Sequence, residues 1–315
     1  MYNNKMTTRF TWYSLLFLTL LSFSCTAGAP ETDPDKTPRK IRGETITIAV
    51  FPEQNVFEQK KKYRPLMDYL SNALDINVRI KLLDSYGAIY DEIGGRKIDG
   101  AFFGSFNYVI AKARADIEPL ARPVETDGRS VYRGIIFSRK DRGLGSDVKG
   151  WRGKRIALVH EVTTAGHIFP HWYLRKHGIT DFERYFRKII FTGSHDAAVL
   201  AVLKGQADLG AAKDLIYEKL LAQNPAMRSE LVVIARSIEL PSNSLCVSGG
   251  LEASLKDRLR KALLSLHETP DGKKALTAMN AVRFTETRDD EFSSLRVMVT
   301  GLGIDVKTFR FKDKP

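Results

Sequence analysis

The sequence has very little cysteine: Cys25 and Cys246 are the two in 315 residues. If Cys25 is modified, as argued below, no intramolecular disulfide can form even in an oxidising compartment. Cys246 lies in the short apolar run Leu245-Cys246-Val247, where a free cysteine behaves mainly as a small buried hydrophobe. The stability of the protein must therefore come from its hydrophobic core.

Long apolar runs are also scarce. The uncharged stretch at residues 10–23 is too short to span a bilayer comfortably as a permanent helix. Lys5 and Arg9 precede it, and Ser-Phe-Ser-Cys closes it at residues 22–25, an arrangement typical of an export signal. We therefore assign residues 1–24 to a signal peptide and expect the protein to be exported to the periplasm.

The end of this segment resembles the bacterial lipobox, which implies that Cys25 is diacylated and tethers the mature protein to the membrane. The match is incomplete, because Ser22 stands where the lipobox usually has leucine. A cleaved soluble form and an uncleaved anchor are the alternatives. Residues 25–43 carry prolines among small and charged residues and have too little apolar content to fold alone, so we expect a lipid-anchored, extended tether.

Signatures of catalysis and of nucleic-acid binding are absent from the sequence. It has no nucleophile elbow, Walker loop, dinucleotide fingerprint or zincin motif, and adjacent His195 and Asp196 would diverge on a helix and not form a dyad. We therefore predict a protein that is not an enzyme and needs no cofactor. The net charge of +12 is spread over scattered basic residues, which favours a solvated basic face that attracts anions over a nucleic-acid site.

The 43% hydrophobic and 10% aromatic content indicates a folded protein. From Thr45 onward, strands and helices alternate twice in a β-α-β-α-β series, and the second series starts at Arg155. We predict an α/β protein with two lobes, each a mixed or parallel sheet flanked by helices. Residues 44–135 and 240–315 would form lobe 1, residues 136–239 would form lobe 2, and the chain after Asn243 is expected to be helical and to pack on lobe 1.

One strand-to-helix junction carries the strongest functional signal. The apolar strand at residues 155–159 leads into Thr163, Thr164 and Gly166. Hydroxyls beside the unpaired amides of a helix start, with glycine allowing close approach, suit an oxyanion. The simple alternative is that Thr163 is an N-cap. Ligands of open α/β sheets bind at the carboxyl ends of the strands, so the turns at Ser105, Thr163 and His195 would face one cleft.

These turns resemble those of PhnD-like proteins, the substrate-binding proteins of phosphonate, phosphite and phosphate ABC importers. The resemblance covers about residues 45–300. The matching pieces are residues 163–170 for the family's Ser-Thr-Ser-Gly-x-x-x-Pro, 149–155 for its Asp-Leu-Lys-Gly-Lys-Arg approach, 193–198 for Gly-x-His-Asp/Glu-Ala, and 101–104 for Ala-Trp-Phe-Gly. The resemblance implies a type II periplasmic binding protein that acts as a monomer, closes on a small oxyanion and delivers it to an ABC permease.

The resemblance also implies roles for individual residues. Thr163, Thr164 and the amide of Gly166 would hold the oxyanion, and His195 would donate from the second lobe. Tyr86 and Tyr132 would contribute phenol hydroxyls or ring faces from the first lobe and the hinge. Each has a plain alternative: Tyr86 as ordinary packing, Tyr132 as strand surface and His195 as a helix cap.

The sequence departs from the family at two places. Ala165 removes the third hydroxyl of the loop, so one bond to the anion, worth about 1.5–3 kcal/mol, is missing unless His167 or a water replaces it. Where aminoalkylphosphonate binders place carboxylates for the ligand ammonium, this chain has Asn243 and Leu215. A shift of one residue would put Asp214 there instead. We therefore expect phosphate, phosphite or a simple phosphonate over an aminophosphonate.

Two other functions fit part of the pattern. His167 and His171 are spaced i, i+4 on one helix, which suits zinc and suggests a metal-binding receptor. A receptor of the same fold could also pass its signal to a sensor kinase instead of a permease.

Overall fold

A computed structural model of the chain describes residues 45–51 and 56–311. The predicted export signal, the tether and Cys25 lie outside the described residues. In the part that is described, no helix has the length and apolar character needed to cross a bilayer.

The first lobe is built on a six-stranded sheet in the order β11-β4-β10-β3-β1-β2. Strands β1 to β4 run in one direction, and β10 and β11 run against them. The strands are β1 Thr45–Val50, β2 Asn77–Leu82, β3 Gly100–Phe103, β4 Ile117–Glu125, β10 Ser244–Ser248 and β11 Ala281–Glu286. The helices of this lobe are α1 Val56–Leu74, α2 Ala88–Gly94, α3 Ser105–Arg114, α9 Ala253–Leu264, α10 Pro270–Met279 and α11 Ser293–Gly301.

The second lobe has a five-stranded sheet in the order β7-β6-β8-β5-β9. Strands β6, β7 and β8 are parallel, β5 is antiparallel to β8, and β9 is antiparallel to β5. The strands are β5 Val131–Arg139, β6 Arg155–Leu158, β7 Lys188–Phe191, β8 Leu209–Lys213 and β9 Leu231–Pro241. The helices are α4 Phe169–Lys176, α5 Phe182–Tyr185, α6 His195–Leu203, α7 Asp214–Gln223 and α8 Met227–Glu230. Two open mixed sheets flanked by helices confirm the predicted α/β architecture.

The chain passes between the lobes twice, and the two passages lie side by side. It leaves the first sheet after β4, and it returns between the end of β9 and the start of β10. Val131 pairs with Pro241, and Ser242 N–H donates to the carbonyl of Ser130 at 3.1 Å. The predicted boundary between residues 135 and 136 falls inside β5, which belongs wholly to the second sheet. Paired passages of this kind are the natural hinge of a two-lobed protein.

The sequence predicts a helical segment after Asn243, and this prediction is wrong in part. Strands β10 and β11 lie in this segment and belong to the first sheet. β11 lies at a sheet edge, and its register shifts between Ala281 and Arg283, which breaks the alternation that marks a strand. In β10, Cys246 is fully buried, as predicted for a small hydrophobe.

Helix packing follows the expected amphipathic spacing. In α1, Tyr63, Leu66, Leu70 and Leu74 recur every three or four residues and are buried, and this face packs against α9 and α10. One apolar cluster spans both lobes. It includes Phe103 and Phe106 of the first lobe and Val159 and Ala165 of the second lobe. The lobes are therefore in contact at this corner of the molecule.

Candidate functional site

The loop that we predicted to bind an oxyanion forms a wide helical turn. Ile168 N–H donates to the carbonyl of Thr163 at 3.1 Å, and residues Thr164–Ile168 form one π-helical turn before α4. Pro170 has no N–H to offer the carbonyl of Gly166 four residues earlier. That carbonyl instead accepts from Val159 N–H at 3.2 Å, which ties the turn to the end of β6 and satisfies a buried backbone group.

Packing requires glycine at position 166. A β-carbon there would lie 2.4 Å from Val159 Cγ2 and 2.8 Å from Thr163 Oγ1, so a larger residue would push the turn away from the strand. Thr163 does not cap the turn with its side chain. Its hydroxyl donates to the carbonyl of His160 at 2.7 Å. Gly166 and Thr163 thus fix the shape of the loop.

Thr164 joins the two lobes. The backbone N–H of Phe106, in the first turn of α3, donates to Thr164 Oγ1 at 2.9 Å, and both groups are buried. The first N–H groups of a helix have no partner within its backbone ladder, and they lie at the positive end of the helix dipole. Two helix starts from opposite lobes therefore meet at one point.

The predicted residues Ser105 and Tyr132 extend this contact toward the hinge. Tyr132 Oη donates to Ser105 Oγ at 3.2 Å, and Ser105 Oγ donates to the carbonyl of Pro241 at 2.8 Å. Tyr132 is buried, so it is not strand surface. We call the buried point at which Phe106 meets Thr164 the closed corner. The hydroxyls of Ser105 and Tyr132 lie between this corner and the passage back to the first lobe.

His195 begins α6 and is completely buried. Its Nδ1 accepts from the backbone N–H of Lys213 at 3.2 Å. A neutral imidazole whose Nδ1 accepts carries its proton on Nε2, so this nitrogen is a donor. Ser194 caps the helix, since its hydroxyl accepts from Ala197 N–H at 3.4 Å, which leaves His195 another role.

Tyr86 lies between two aromatic rings at the interface of the lobes. Its ring stacks on Phe51 at 5.4 Å and on His160 at 5.1 Å, and it is buried. Because His160 starts the loop that contains Thr163 and Thr164, Tyr86 is a first-lobe side chain held against the second-lobe loop.

Lys213 is a residue of the cleft that sequence reasoning missed. It ends β8 and is 7% exposed. Its Nζ donates to Asn243 Oδ1 at 2.7 Å and lies 4.9 Å from the centre of the Tyr132 ring. All three residues line a cleft of about 720 Å³ between the lobes. The sequence did offer one signal for Lys213, namely a lysine that directly follows a run of small residues in a buried strand.

Asp214 does not line that cleft, because the hinge holds its carboxylate. Its Oδ1 accepts from the backbone amides of Arg133 and Leu215, each at 2.9 Å. Its Oδ2 accepts from the Arg129 guanidinium at 3.1 Å. A shift of one residue would have brought Asp214 to the ligand. The structure does not have this register.

His167 points into another pocket, of about 330 Å³, which it shares with His171 and Phe182. The two imidazole rings are 4.3 Å apart. Burial and the neighbouring His171 hold the pKa of His167 well below its usual value, and burial lowers the pKa of His171 to about 4. Both are neutral at pH 7. Across the described ranges, no group of three or more metal-ligating side chains is placed to hold an ion.

The C-terminal segment after α11 contacts both lobes beside the closed corner. Phe309 packs on Phe106 at 5.4 Å, and Phe311 lies 6.1 Å from His160. Arg114 of α3 donates to the carbonyls of Val306 and Phe309. Nothing in the sequence pattern marked this segment as part of the site.

Known proteins resemble this chain over most of its length. Residues 48–292 match the family described as ABC transporter, phosphonate, periplasmic substrate-binding protein. The chain is 25% identical over 250 residues to the phosphate-import protein PhnD of Mycolicibacterium smegmatis, and this alignment covers 76% of this chain and 77% of that protein. It is 24% identical over 260 residues to the probable ABC transporter phosphite binding protein PhnD1 of Prochlorococcus marinus, in an alignment that covers 79% of this chain and 87% of that protein. The structure of the latter protein with methylphosphonate is similar, with a TM-score of 0.74 at 22% identity over 82% of this chain and 98% of that one.

Proposed function

Because this chain belongs to the family of periplasmic substrate-binding proteins of phosphonate ABC transporters, we propose that it captures phosphate, phosphite or a phosphonate between its lobes and delivers it to an ABC importer. The observation that carries the proposal is the hydrogen bond from Phe106 N–H to Thr164 Oγ1 at 2.9 Å. It brings the start of a first-lobe helix and the start of a second-lobe helix to one buried corner.

The chemistry of this corner suits a tetrahedral anion. Helix starts offer amide donors and partial positive charge, and hydroxyls and an imidazole donor complete a set that can surround several oxygens. The members of this set are Ser105, Phe106, Tyr132, Thr163, Thr164 and His195. The Phe106 amide and the hydroxyls of Ser105 and Thr163 donate to protein acceptors in this arrangement, and they would exchange those acceptors for the anion. The nearby carboxylate of Asp214 is directed away, into the hinge. An anion is therefore not repelled by that carboxylate.

The mechanism that follows is lobe closure about the paired passages at Val131 and Pro241. A ligand that receives donors from both lobes binds the closed form more tightly than the open form, so it shifts the population toward closure. The permease would recognise the closed form.

The family implies export to the periplasm. We propose further that residues 1–24 are the export signal, that Cys25 carries a lipid anchor, and that the protein works as a monomer.

A ligand screen tests this function. Phosphate, phosphite, methylphosphonate, sulfate and zinc are compared by thermal shift and by calorimetry. A ligand at about 100 times its Kd should stabilise the fold by about 2.7 kcal/mol. We expect the phosphorus anions to do so and the double variant Thr164→Val, His195→Ala to lose the response while staying folded. A response to zinc alone, or an unchanged response in the double variant, would contradict the proposal.

A further inference from the structure

We propose that a groove between α4 of the second lobe and α11 of the first lobe is the surface on which the permease docks. It would receive a permease segment that presents an apolar side chain beside a carboxylate. The inference rests on the proposed function, because it names the surface through which the captured anion is delivered. The groove contains none of the residues that we propose to hold the anion.

One face of each helix lines this docking groove. Phe169, Trp172 and Lys176 lie one helical turn apart on α4, and this spacing places them on the same side of the helix. Val297 and Met298 of α11 line the groove from the first lobe, and the edge strand β9 adds Ile238. The groove has a volume of about 410 Å³, which leaves room for side chains of a partner.

The groove leaves large apolar side chains in contact with solvent. Val297 is 66% exposed and Ile238 is 48% exposed. Apolar groups that remain in water around a concave surface are typical of sites that bind a protein partner. Trp172 adds an aromatic ring, the kind of side chain that most often dominates the binding energy of an interface. A partner side chain buried here would therefore stabilise a complex.

The shape of the groove depends on how the lobes meet. Its two helices touch where Trp172 lies against the end of α11, because a β-carbon at Gly301 would be 2.4 Å from Trp172 Cζ3. Opening of the lobes would move one wall of the groove relative to the other. A partner that fits the groove thus distinguishes the closed form from the open form, as a permease must do to accept the loaded protein.

The charge of the groove indicates the chemistry of the partner. Lys176 and Arg236 line it and are exposed, whereas none of the described residues of the lining carries a carboxylate. Lys176 Nζ lies 4.7 Å from the centre of the Trp172 ring, so a cation and an aromatic face are presented together. Two cations attract a carboxylate and repel another cation. The segment that fits is therefore apolar with an acidic residue beside it.

Acidic side chains on the adjoining segments have cationic partners of their own. Glu239 follows Ile238 in β9 and is bonded to Arg133 at 2.8 Å. Asp289 precedes α11 and is bonded to Arg296. These carboxylates are therefore engaged, and the positive charge of the groove is left for a partner.

A photo-crosslinking experiment identifies the occupant. In cells that make the full chain from its own gene, p-benzoylphenylalanine replaces Val297. We expect a product with a membrane-spanning subunit of an ABC importer, identified by mass spectrometry, and a higher yield when phosphite or methylphosphonate is supplied. Val282, 47% exposed and outside the groove, is the matched position and should give no such product. A product with a second copy of the chain, or with lipid alone, would overturn the inference.

Uptake shows whether the groove serves transport. In the same cells, the double variant Ile238→Arg, Val297→Arg should lower uptake of the phosphorus anion about tenfold, because charge replaces apolar contact. Its affinity for that anion in calorimetry should stay within about twofold of the unaltered chain, since the sites are separate. Val282→Arg is the control and should change neither quantity. Normal uptake with the folded double variant would overturn the inference.

Reversal of charge tests the acidic partner. Lys176→Glu combined with Arg236→Glu should lower uptake about tenfold through repulsion of the carboxylate. Lys176→Arg keeps the positive charge and should transport normally. Uptake that does not change when the charge is reversed would overturn the inference.

The same measurements separate the two proposals. If the anion binds and uptake depends on the chain, but the groove variants transport normally, the docking groove is wrong and the proposed function stands. If none of the phosphorus anions binds, the proposed function fails and the inference fails with it. Should the double variant not fold, the charge variants at the exposed positions Lys176 and Arg236 decide.

Discussion

Phe106 and Thr164 lie in different lobes, yet the backbone amide of one is bonded to the side-chain hydroxyl of the other at 2.9 Å. Both residues are buried. A buried N–H without an acceptor costs about 1–3 kcal/mol, so this bond makes the closed arrangement sensitive to a single oxygen atom. The same oxygen belongs to the loop that we propose to hold the ligand.

Thr164→Val keeps the shape of this side chain and removes the oxygen. We expect the affinity for phosphate or methylphosphonate to fall about 10- to 100-fold, because the closed form loses about 1–3 kcal/mol. Calorimetry measures the change. Thr300→Val, at an exposed position on α11, is the control and should bind as the unaltered chain does. If Thr164→Val binds the ligand as tightly as the unaltered chain, the oxyanion binds at another place.

His195 allows the fold and the ligand to be separated. In His195→Asn, the amide oxygen can still accept from Lys213 N–H as Nδ1 does, but the Nε2 donor is gone. We expect this variant to keep the urea midpoint of the unaltered chain and to lose most of its ligand affinity. His195→Ala should lose both, with about 1–2 kcal/mol less stability. Full binding by His195→Asn would show that Nε2 is not a ligand donor.

Asp214 should matter for stability and not for the choice of ligand. Asp214→Ala leaves the amides of Arg133 and Leu215 without their acceptor, and we expect a loss of about 2–3 kcal/mol in urea unfolding. Glu218→Ala removes an exposed partner of the same Arg129 and should cost less than about 1 kcal/mol. A change in preference between propylphosphonate and 2-aminoethylphosphonate in Asp214→Ala would contradict this role.

The pair His167 and His171 predicts how stability depends on pH. Burial holds the pKa of His171 at about 4, whereas an unfolded histidine titrates near about 6.5. Between these values the unfolded chain binds a proton that the folded chain does not, so stability falls as the pH drops from about 6.5 to about 4. His171→Gln should remove on the order of 3 kcal/mol of this dependence. Urea unfolding at a series of pH values measures it, and an unchanged slope would assign the protons to other groups.

The C-terminal segment should slow the opening of the lobes. Phe309 packs on Phe106 beside the inter-lobe bond, so Phe309→Ala removes apolar contact that opening would have to break. We expect ligand dissociation to become several-fold faster in stopped-flow experiments. Val297→Ala, at a side chain that is 66% exposed, should leave the rate unchanged. Equal rates in both variants would mean that the segment does not restrain the lobes.

Local patterns were enough to predict the two α/β units and the loop at Thr163 and Thr164, because each depends on a short run of residues with a clear period or a helix-start signal. The strand β11 was missed because it lies at an edge, where one face is exposed, and because its register shifts after Ala281. Propensity is weak evidence for such strands.

The contacts that complete the site could not be predicted, since they join distant parts of the chain. Lys213 looks like an ordinary strand end until β5 and the return to β10 bring Tyr132 and Asn243 against it. The acceptor of the Phe106 amide depends on how the lobes meet. His167 was predicted to point at the ligand, but the wide turn directs it toward His171.

The burial of Cys246 has a practical consequence. Cys246 belongs to β10, which lies between β3 and β4, and burial raises the pKa of its thiol well above the usual value. Reagents that react with thiolates should therefore not modify it. In a chain that lacks residues 1–42, and with them Cys25, a cysteine introduced in place of exposed Lys219, at the rim of the cleft, could then be labelled with a dye without first removing Cys246. Changes in the emission of that dye would report the capture of an anion in real time, which makes the chain a convenient starting point for an optical sensor.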